Sequence, residues 1–346
     1  IAPRWETKGK DGVLHEFYGH CLDGLVALHE ESGDRRALEL AARLGKHAGR
    51  ASHTHHALSL CRGLIDLARA TGDVEYLEKA EDYLSWCRES QLVTGGLPEM
   101  MPRSAQDEGC ALADWIVVNL KMFEHTGDDA YLDAAEQMLV NHFFMNQFHT
   151  GGFGHLGFDH KIVGGKKWQG WDGRFGSENP GCCSLWGQWA LGQSGRYVVT
   201  CDGQTVLVNL YVEADVELPS HGIRLTIESD FPRMRRAKIT VRREGEGEVE
   251  ETGERAGDRA GEFDLALRVP SWARRVRVEC AGQRVEREPD KGRVVLRRDW
   301  AGHEVVLVEF IASPRFVSWP KNEPLGVAVF DGPLCLGLSS AEVDVD

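Results

Sequence analysis

The triplet Ser/Thr-Gly-Asp occurs three times in the first half of the chain, as Ser32-Gly33-Asp34, Thr71-Gly72-Asp73 and Thr126-Gly127-Asp128. Each copy closes a stretch whose apolar residues recur at helical spacing, such as Leu14, Phe17, Cys21, Leu25 and Leu28. Each is followed by an Ala/Leu-rich segment, ALELAARL, YLEKAEDYL or YLDAAEQML. The pattern predicts helices over 13–32, 35–48, 54–71, 74–90, 110–126 and 129–147. The turn is too short to join anything but antiparallel neighbours. A helix pair repeated at this period stacks into an α-solenoid or closes into an α/α toroid.

The pattern then changes. Residues 148–182 are rich in Gly, Trp, Phe and Asp with little periodicity, and a loop of that length inside a compact domain is usually functional. A short helix is expected at 183–193. From Arg196 the period becomes two, beginning with a hairpin that turns at Asp202-Gly203. Further strands are expected at 222–229, 237–243, 263–269, 275–280, 284–287, 293–297 and 304–310, with another apolar strand within 325–337. Short strands with regular turns indicate an antiparallel β-sandwich. The division that follows is a helical catalytic domain over 1–195 and a β-sandwich domain over 196–346. The segment 244–262 is charged, Gly-rich and apolar-poor, and reads as a mobile surface loop.

With 346 residues the chain is long enough for two domains. A net charge of −14 argues against nucleic acid or an anionic membrane as partner, since both need a basic face. No apolar run approaches the ~20 residues of a membrane span. Nine cysteines, odd in number and irregularly spaced, read as mostly reduced thiols, hence an intracellular, cytoplasmic protein. The chain starts at Ile1 with no signal-like apolar segment, and could be processed or incomplete. Oligomeric state is not readable.

Two short motifs carry chemistry. Glu108-Gly109-Cys110 lies at a helix start, and Cys182-Cys183 opens the helix after the irregular loop. Three thiols and a carboxylate from two segments are the ligand types of a tetrahedral zinc site. Adjacent cysteines bond to each other only through a strained ring, so a disulfide is the poorer explanation. On a regular helix, positions two apart diverge, so Glu108 and Cys110 can share an ion only where the helix is being entered. Four ordinary buried residues are the bland alternative. The cluster His53-Thr54-His55-His56 could bind metal or sugar, with one functional histidine expected rather than three. His20, alone, is a core-histidine pattern. Trp168 and Trp171, with Phe175, could stack on a sugar face or simply plug the long loop. Glu99, after Thr94-Gly95-Gly96-Leu97-Pro98, is a candidate general acid.

Taken together, these motifs resemble glycoside hydrolase family 127, the zinc- and cysteine-dependent β-L-arabinofuranosidases. YGHCLDGLVALHEESGD resembles the family's Gly-His helix, HTHHALSLCRGLIDLARATGD its second histidine helix, and GRYVVTCDGQTVLVNLYV and FDLALRVPSWA its first β-sandwich. The resemblance implies an α/α toroid followed by a β-sandwich, and a retaining glycosidase acting on a carbohydrate. It implies a Zn2+ site of Glu108, Cys110, Cys182 and Cys183, with Cys182 as nucleophile and His20 and His53 on sugar hydroxyls. The family has more helices before the Tyr-Gly-His segment, so part of the ring is expected either to be missing or to lie outside this sequence. Its acid/base glutamate lies in a stretch that is shortened in this chain. Glu99 is the best substitute and Asp107 the second. Two rival readings are a non-catalytic carbohydrate-binding or scaffold protein with a structural zinc site, and a metal-independent toroid glycosidase or lyase using paired carboxylates.

Overall fold

The computed structural model describes residues 21–49, 51–92, 94–102, 104, 106–156, 158–163, 166–171, 177–243, 262–287, 292–300, 302–318 and 327–336. The predicted helix start before residue 21, with His20, and the charged segment 244–261 lie outside them. Two compact units result: one holds the described residues up to Gly192 together with 317–318 and 327–328, the other the described residues of 193–316 and 329–336.

In the first unit the helices are α1 (Leu22–Ser32), α2 (Arg35–Lys46), α3 (Thr54–Thr71), α4 (Val74–Ser90), α5 (Gly109–Thr126), α6 (Asp129–Met138) and α7, which starts at Cys182. They pack as α1/α2, α3/α4 and α5/α6 hairpins, the antiparallel pairs from which an α/α toroid is built. Every position of the Ser/Thr-Gly-Asp triplet has a task. The hydroxyl of Ser32, Thr71 or Thr126 donates to the carbonyl four residues back, and then accepts the N–H of the aspartate. The glycine takes a left-handed φ of 71°, 72° or 70° that other residues resist. Asp34, Asp73 or Asp128 then caps the next helix through the N–H two residues on.

Burial separates inner from outer helices. From Thr54 to Ala68 and from Gly109 to Leu120, nearly every residue of α3 and α5 is buried. By contrast α2, α4 and α6 bury only one stripe each, for example Tyr76, Ala80, Tyr83, Leu84 and Cys87 of α4. Helix α6 does not continue to residue 147 as its pattern suggested. It loosens at Leu139 into a wider five-residue turn, then a tight 3-10 turn at Phe144–Asn146. The stretch read as an irregular loop contains two short antiparallel pairs. One joins β1 (Gly154–His155) and β4 (Ser177–Glu178), the other β2 (Phe158–Val163) and β3 (Lys166–Trp171).

A buried ionic network pins the inner helices together. Asp114 of α5, wholly buried, accepts from His55 Nδ1 (2.6 Å) and Ser59 Oγ (3.0 Å) of α3 and pairs with the Arg62 guanidinium. Arg62, equally buried, also donates from Nε to Asp23 of α1 at 2.8 Å. Its guanidinium lies 4.7 Å from the ring centres of both Trp186 and Trp189 of α7. One side chain therefore touches α1, α3, α5 and α7.

The second unit is built of strands. Four of them, β5 (Val199–Asp202), β6 (Thr205–Val208), β10 (Phe263–Arg268) and β13 (Arg293–Arg298), form a sheet in the order β13-β10-β6-β5. Six form another, in the order β12-β11-β14-β9-β8-β7: β7 (Ala214–Leu218), β8 (Ile223–Ser229), β9 (Arg236–Arg243), β11 (Arg275–Cys280), β12 (Gln283–Arg287) and β14 (His303–Ile311). All these neighbours are antiparallel except β6 and β10, which run parallel. The six-stranded sheet buries one face at period two, through Ile223, Leu225 and Ile227, Ala237, Ile239 and Val241, and Val306, Val308 and Phe310. Phe310 meets Tyr211 edge-on beyond β6, and Phe263 of β10 stacks on Trp300. The strands β7 and β15 (Arg315–Ser318) carried no sequence expectation, and a final hairpin pairs β16 (Val327–Asp331) with β17 (Leu334–Leu336).

Two substitutions test this packing. A Cβ at Gly63 of α3 would lie 2.3 Å from Leu22 Cβ and 3.0 Å from the Asp23 backbone nitrogen, whereas one at Gly192 of α7 meets nothing within 4 Å. Gly63→Ala should therefore cost about 1–3 kcal/mol in a denaturant melt, while Gly192→Ala should be neutral or stabilising by up to about 1 kcal/mol. Asp114→Asn keeps the shape but takes from the buried Arg62 one of its two carboxylate partners and from His55 its own, and should cost about 3 kcal/mol. A loss below about 1 kcal/mol in the same melt would mean that the network is not the pin described.

Candidate active site

Three helices begin at one place. His53 is the residue before α3, Glu108 the residue before α5, and Cys182 the first residue of α7. The positive ends of the helix dipoles face that point, which favours negative groups there. Glu108 has extended backbone, φ −143° and ψ 125°, and Cys110 is the second residue of the helix proper. Because the chain is still turning into the helix, two positions that would diverge on a regular helix face the same way. Gly109 between them is required by space: a Cβ there would sit 3.1 Å from Asn146 Oδ1 and Phe153 Cβ and 3.2 Å from Cys183 Cβ.

The ligand atoms of Glu108, Cys110, Cys182 and Cys183 all lie within 4.8 Å of one another. Cys110 Sγ is 3.6 Å and Cys182 Sγ 4.0 Å from Cys183 Sγ. Glu108, Cys110 and Cys183 are buried and Cys182 is open. No disulfide joins any of the nine cysteines. This is a buried cluster able to hold a metal ion. Its protons are shared unevenly: the Cys110 thiol hydrogen-bonds to Cys183 and drives the Cys183 pKa down to about 4, while Cys110 itself is pushed up. Burial raises Glu108 to about 7.

Glu99 stands beside this cluster. Its backbone accepts Thr54 N–H and donates to Gln106 O, both at 2.9 Å, which ties it to the start of α3 and the approach to α5. Gln106 Nε2 donates to Glu99 Oε2 at 2.7 Å. Donor atoms of His53, Glu99 and Glu108 again fall within 4.8 Å of one another, with His53 Nε2 3.6 Å from Glu108 Oε2. Glu108 is thus common to both groups. Asp107 is turned away into structure: it is fully buried, and its Oδ1 accepts from Asn146 Nδ2 (2.9 Å) and Leu156 N–H (2.8 Å). Burial lifts its carboxyl to about 7.

Of the three neighbouring histidines, only His53 reaches this group. His55 is buried in the Asp114 network, and His56 stacks on His53 with ring centres 4.2 Å apart. The backbone of Trp168 and Trp171 lies on β3, opposite Lys161 and Phe158 of β2. The sequence reading passed over His155. It lies on β1, with Nε2 3.8 Å from Cys183 Sγ and Nδ1 3.2 Å from Asp107 O and 4.0 Å from Glu99 Oε1. The hydrogen bond with Cys183 raises its pKa to about 9. Nothing local marks it, because a lone histidine in a Gly-rich stretch has no ligand spacing; only the short β1–β4 pairing carries it to the thiols.

Among the described residues no helix is long and apolar enough to cross a membrane. No curated protein sequence matches the chain. Solved structures do. A GH127 beta-arabinofuranosidase aligns with a TM-score of 0.67 at 22% identity, over 90% of this chain and 54% of its own. A GH127 beta-L-arabinofuranosidase from Geobacillus stearothermophilus T6 aligns at 0.66 and 20%, over 90% and 57%. A protein described as a glycoside hydrolase aligns at 0.68 and 20%, over 91% and 59%. At those identities the likeness shows the fold, and the chain spans a little over half the length of these relatives. Domain profiles carry the family. "Beta-L-arabinofuranosidase, GH127 catalytic domain" matches residues 6–156, and "Beta-L-arabinofuranosidase, GH127 middle domain" matches 205–311. Both profiles are of one family and together span most of the sequence, in the order catalytic then middle domain: the chain belongs to glycoside hydrolase family 127.

Proposed function

We propose that this chain is a retaining glycoside hydrolase acting on β-L-arabinofuranosides, with Zn2+ as its metal and Cys182 as its nucleophile. The observation that carries the reading is the meeting of Glu108-Gly109-Cys110 with Cys182-Cys183 beside Glu99. The donor set suits zinc: two sulfurs about 2.3 Å from one ion at the tetrahedral angle stand about 3.8 Å apart. The observed separations are 3.6 Å and 4.0 Å. Glu108, Cys110, Cys182 and Cys183 would hold the ion. Bound there, zinc would draw charge from the sulfurs and keep the thiols deprotonated near neutral pH.

The chain's own groups then divide the chemistry. Cys182 is the open sulfur, at the start of α7, with Asn179 Nδ2 directed at it from 3.7 Å. Its sulfur attacks the anomeric carbon as the bond to the leaving oxygen breaks, giving a thioglycosyl-enzyme. Glu99, partly open and oriented by Gln106, donates a proton to that oxygen. It then takes a proton from the water that displaces the sulfur, so the enzyme returns to its starting state and configuration is retained. Asp107 is a poorer candidate for this role, since hydrogen bonds from Asn146 and Leu156 hold its carboxylate away. His53, with His20, would contact sugar hydroxyls, and Trp168 and Trp171 would stack on the ring. An open Cys182 favours catalysis over a closed structural metal site, in which all four ligands would be buried. The division into a catalytic domain over 1–195 and a β-sandwich domain over 196–346 belongs to the same proposal.

The assay is hydrolysis of an aryl β-L-arabinofuranoside and of an unactivated disaccharide, with zinc measured by elemental analysis. Cys182→Ser should lose more than about a thousandfold in kcat while keeping the fold, because a hydroxyl is a poor nucleophile here. Retention of most activity in that variant excludes cysteine catalysis. Cys183→Ser should also lower zinc affinity, by at least roughly tenfold. Glu99→Gln should slow the disaccharide far more than the aryl glycoside, whose leaving group needs little protonation. Equal loss on both substrates would move the acid elsewhere.

A further inference from the structure

The thiols use only part of what Glu108 offers. Its side chain is 6% exposed, and Oε2 is a buried oxygen with no hydrogen-bond donor. That oxygen faces His53 Nε2 at 3.6 Å, and a Glu99 carboxylate oxygen completes a set of three donors within 4.8 Å of one another. Glu99 is held beside them by Gln106, whose amide donates to Glu99 Oε2 at 2.7 Å. Two carboxylates this close, one of them buried and short of a donor, call for a positive centre between them. We infer that His53, Glu99 and Glu108 form a second divalent-cation site, joined to the thiol cluster by Glu108 as a bridging carboxylate.

The donor chemistry sets what it binds and in what order. One imidazole and two carboxylates suit Zn2+, Co2+ or Mn2+; they are too few oxygens for Ca2+. Without a thiolate the site is weaker for zinc than the three-sulfur cluster, so it fills second. A bridging carboxylate places paired ions about 3.5–4 Å apart. Filling it has a consequence that rests on the function proposed above. An ion on Glu99 occupies the lone pairs needed for proton transfer, and an ion on His53 removes a sugar contact. The first equivalent of metal should therefore activate and the second inhibit.

Cobalt distinguishes the two sites, because only sulfur ligation gives intense near-ultraviolet charge-transfer absorption. Metal-stripped full-length protein is titrated with Co2+, and bound metal is measured by equilibrium dialysis. The wild type should bind two equivalents, with the charge-transfer band complete after the first. Glu99→Gln and His53→Gln should each weaken the second ion by at least about tenfold and leave the band unchanged, which also shows that the variants are folded. A wild type that stops at one equivalent overturns the site, and so does a second equivalent that survives both substitutions. With the aryl glycoside, activity should rise to one equivalent of Zn2+ and fall severalfold towards two. Two bound ions with undiminished activity overturn the inhibitory role. A protein with no glycosidase activity at all overturns the proposed function, while the dialysis still decides the cation site.

Discussion

The Asp114 carboxylate is the constraint on which the first unit depends. It is wholly buried, and its cost of desolvation is offset only because His55, Ser59 and Arg62 all reach it. Those attractions hold its pKa below the usual carboxylate range, although burial alone would raise it. Two of the participants lie about one helical turn behind the thiol cluster: Asp114 is four residues after Cys110 and Trp186 four after Cys182. An error in how α3, α5 and α7 are set against each other would therefore appear at once as a misplaced ligand. Buried ion pairs add little net stability compared with apolar packing, but they tolerate few alternative arrangements. Helices as uniformly apolar as α5 could otherwise slide or rotate at little cost.

The same arrangement explains why negative groups gather where they do. Three helices point their N-termini at one spot, and their dipoles favour polar or anionic side chains there. Glu108, Cys182 and Cys183 answer this locally. The cluster is asymmetric by construction. Cys183, buried between Cys110 and His155, has partners on both sides that favour its thiolate. Cys182 reaches the same cluster but is open to solvent, with the Asn179 amide donating to its sulfur from outside it. Of two adjacent cysteines, then, one is committed to the interior and the other is available, without any difference in their chemistry.

Much of this was legible in the sequence because its causes are local. The Ser/Thr-Gly-Asp triplet writes a helix end, a left-handed turn and a helix cap in three consecutive letters, so the hairpins could be counted. Strands β8, β9, β11 and β14 bury one face and expose the other, and so show their period. The thiol cluster was legible because ligand types are few and their pairing is distinctive. Features set at a distance were not. His155 reaches Cys183 through strands two residues long, which leave no periodic signal. Arg62 looks like an ordinary helical arginine until Trp186 and Trp189 close over it from more than a hundred residues away. β10 is buried on both faces, so nothing in its pattern tells that it runs parallel to β6. The end of α6 kept its apolar residues, but the wider turn at Leu139–Phe143 rotates them off the original stripe.

The stretch before Glu108 has a local structure that bears on the choice of the proposed acid. Between Gly96 and Glu108 the chain has room for little more than one excursion, and it uses it to pair with the start of α3. His53 bridges to Met100, Met101 N–H reaches Ser52 O, and the Thr54 hydroxyl reaches Pro98 O. Glu99 is therefore fixed on both sides by main-chain bonds, to Thr54 and to Gln106, while its side chain stays partly open. A general acid needs this combination: a backbone that cannot wander and a carboxyl that can reach both substrate and water. Asp107 has the first property without the second. The geometry that suits Glu99 to the proposed acid role also brings it within reach of His53 and Glu108, so the proposed proton transfer and the proposed second cation would compete for one carboxylate.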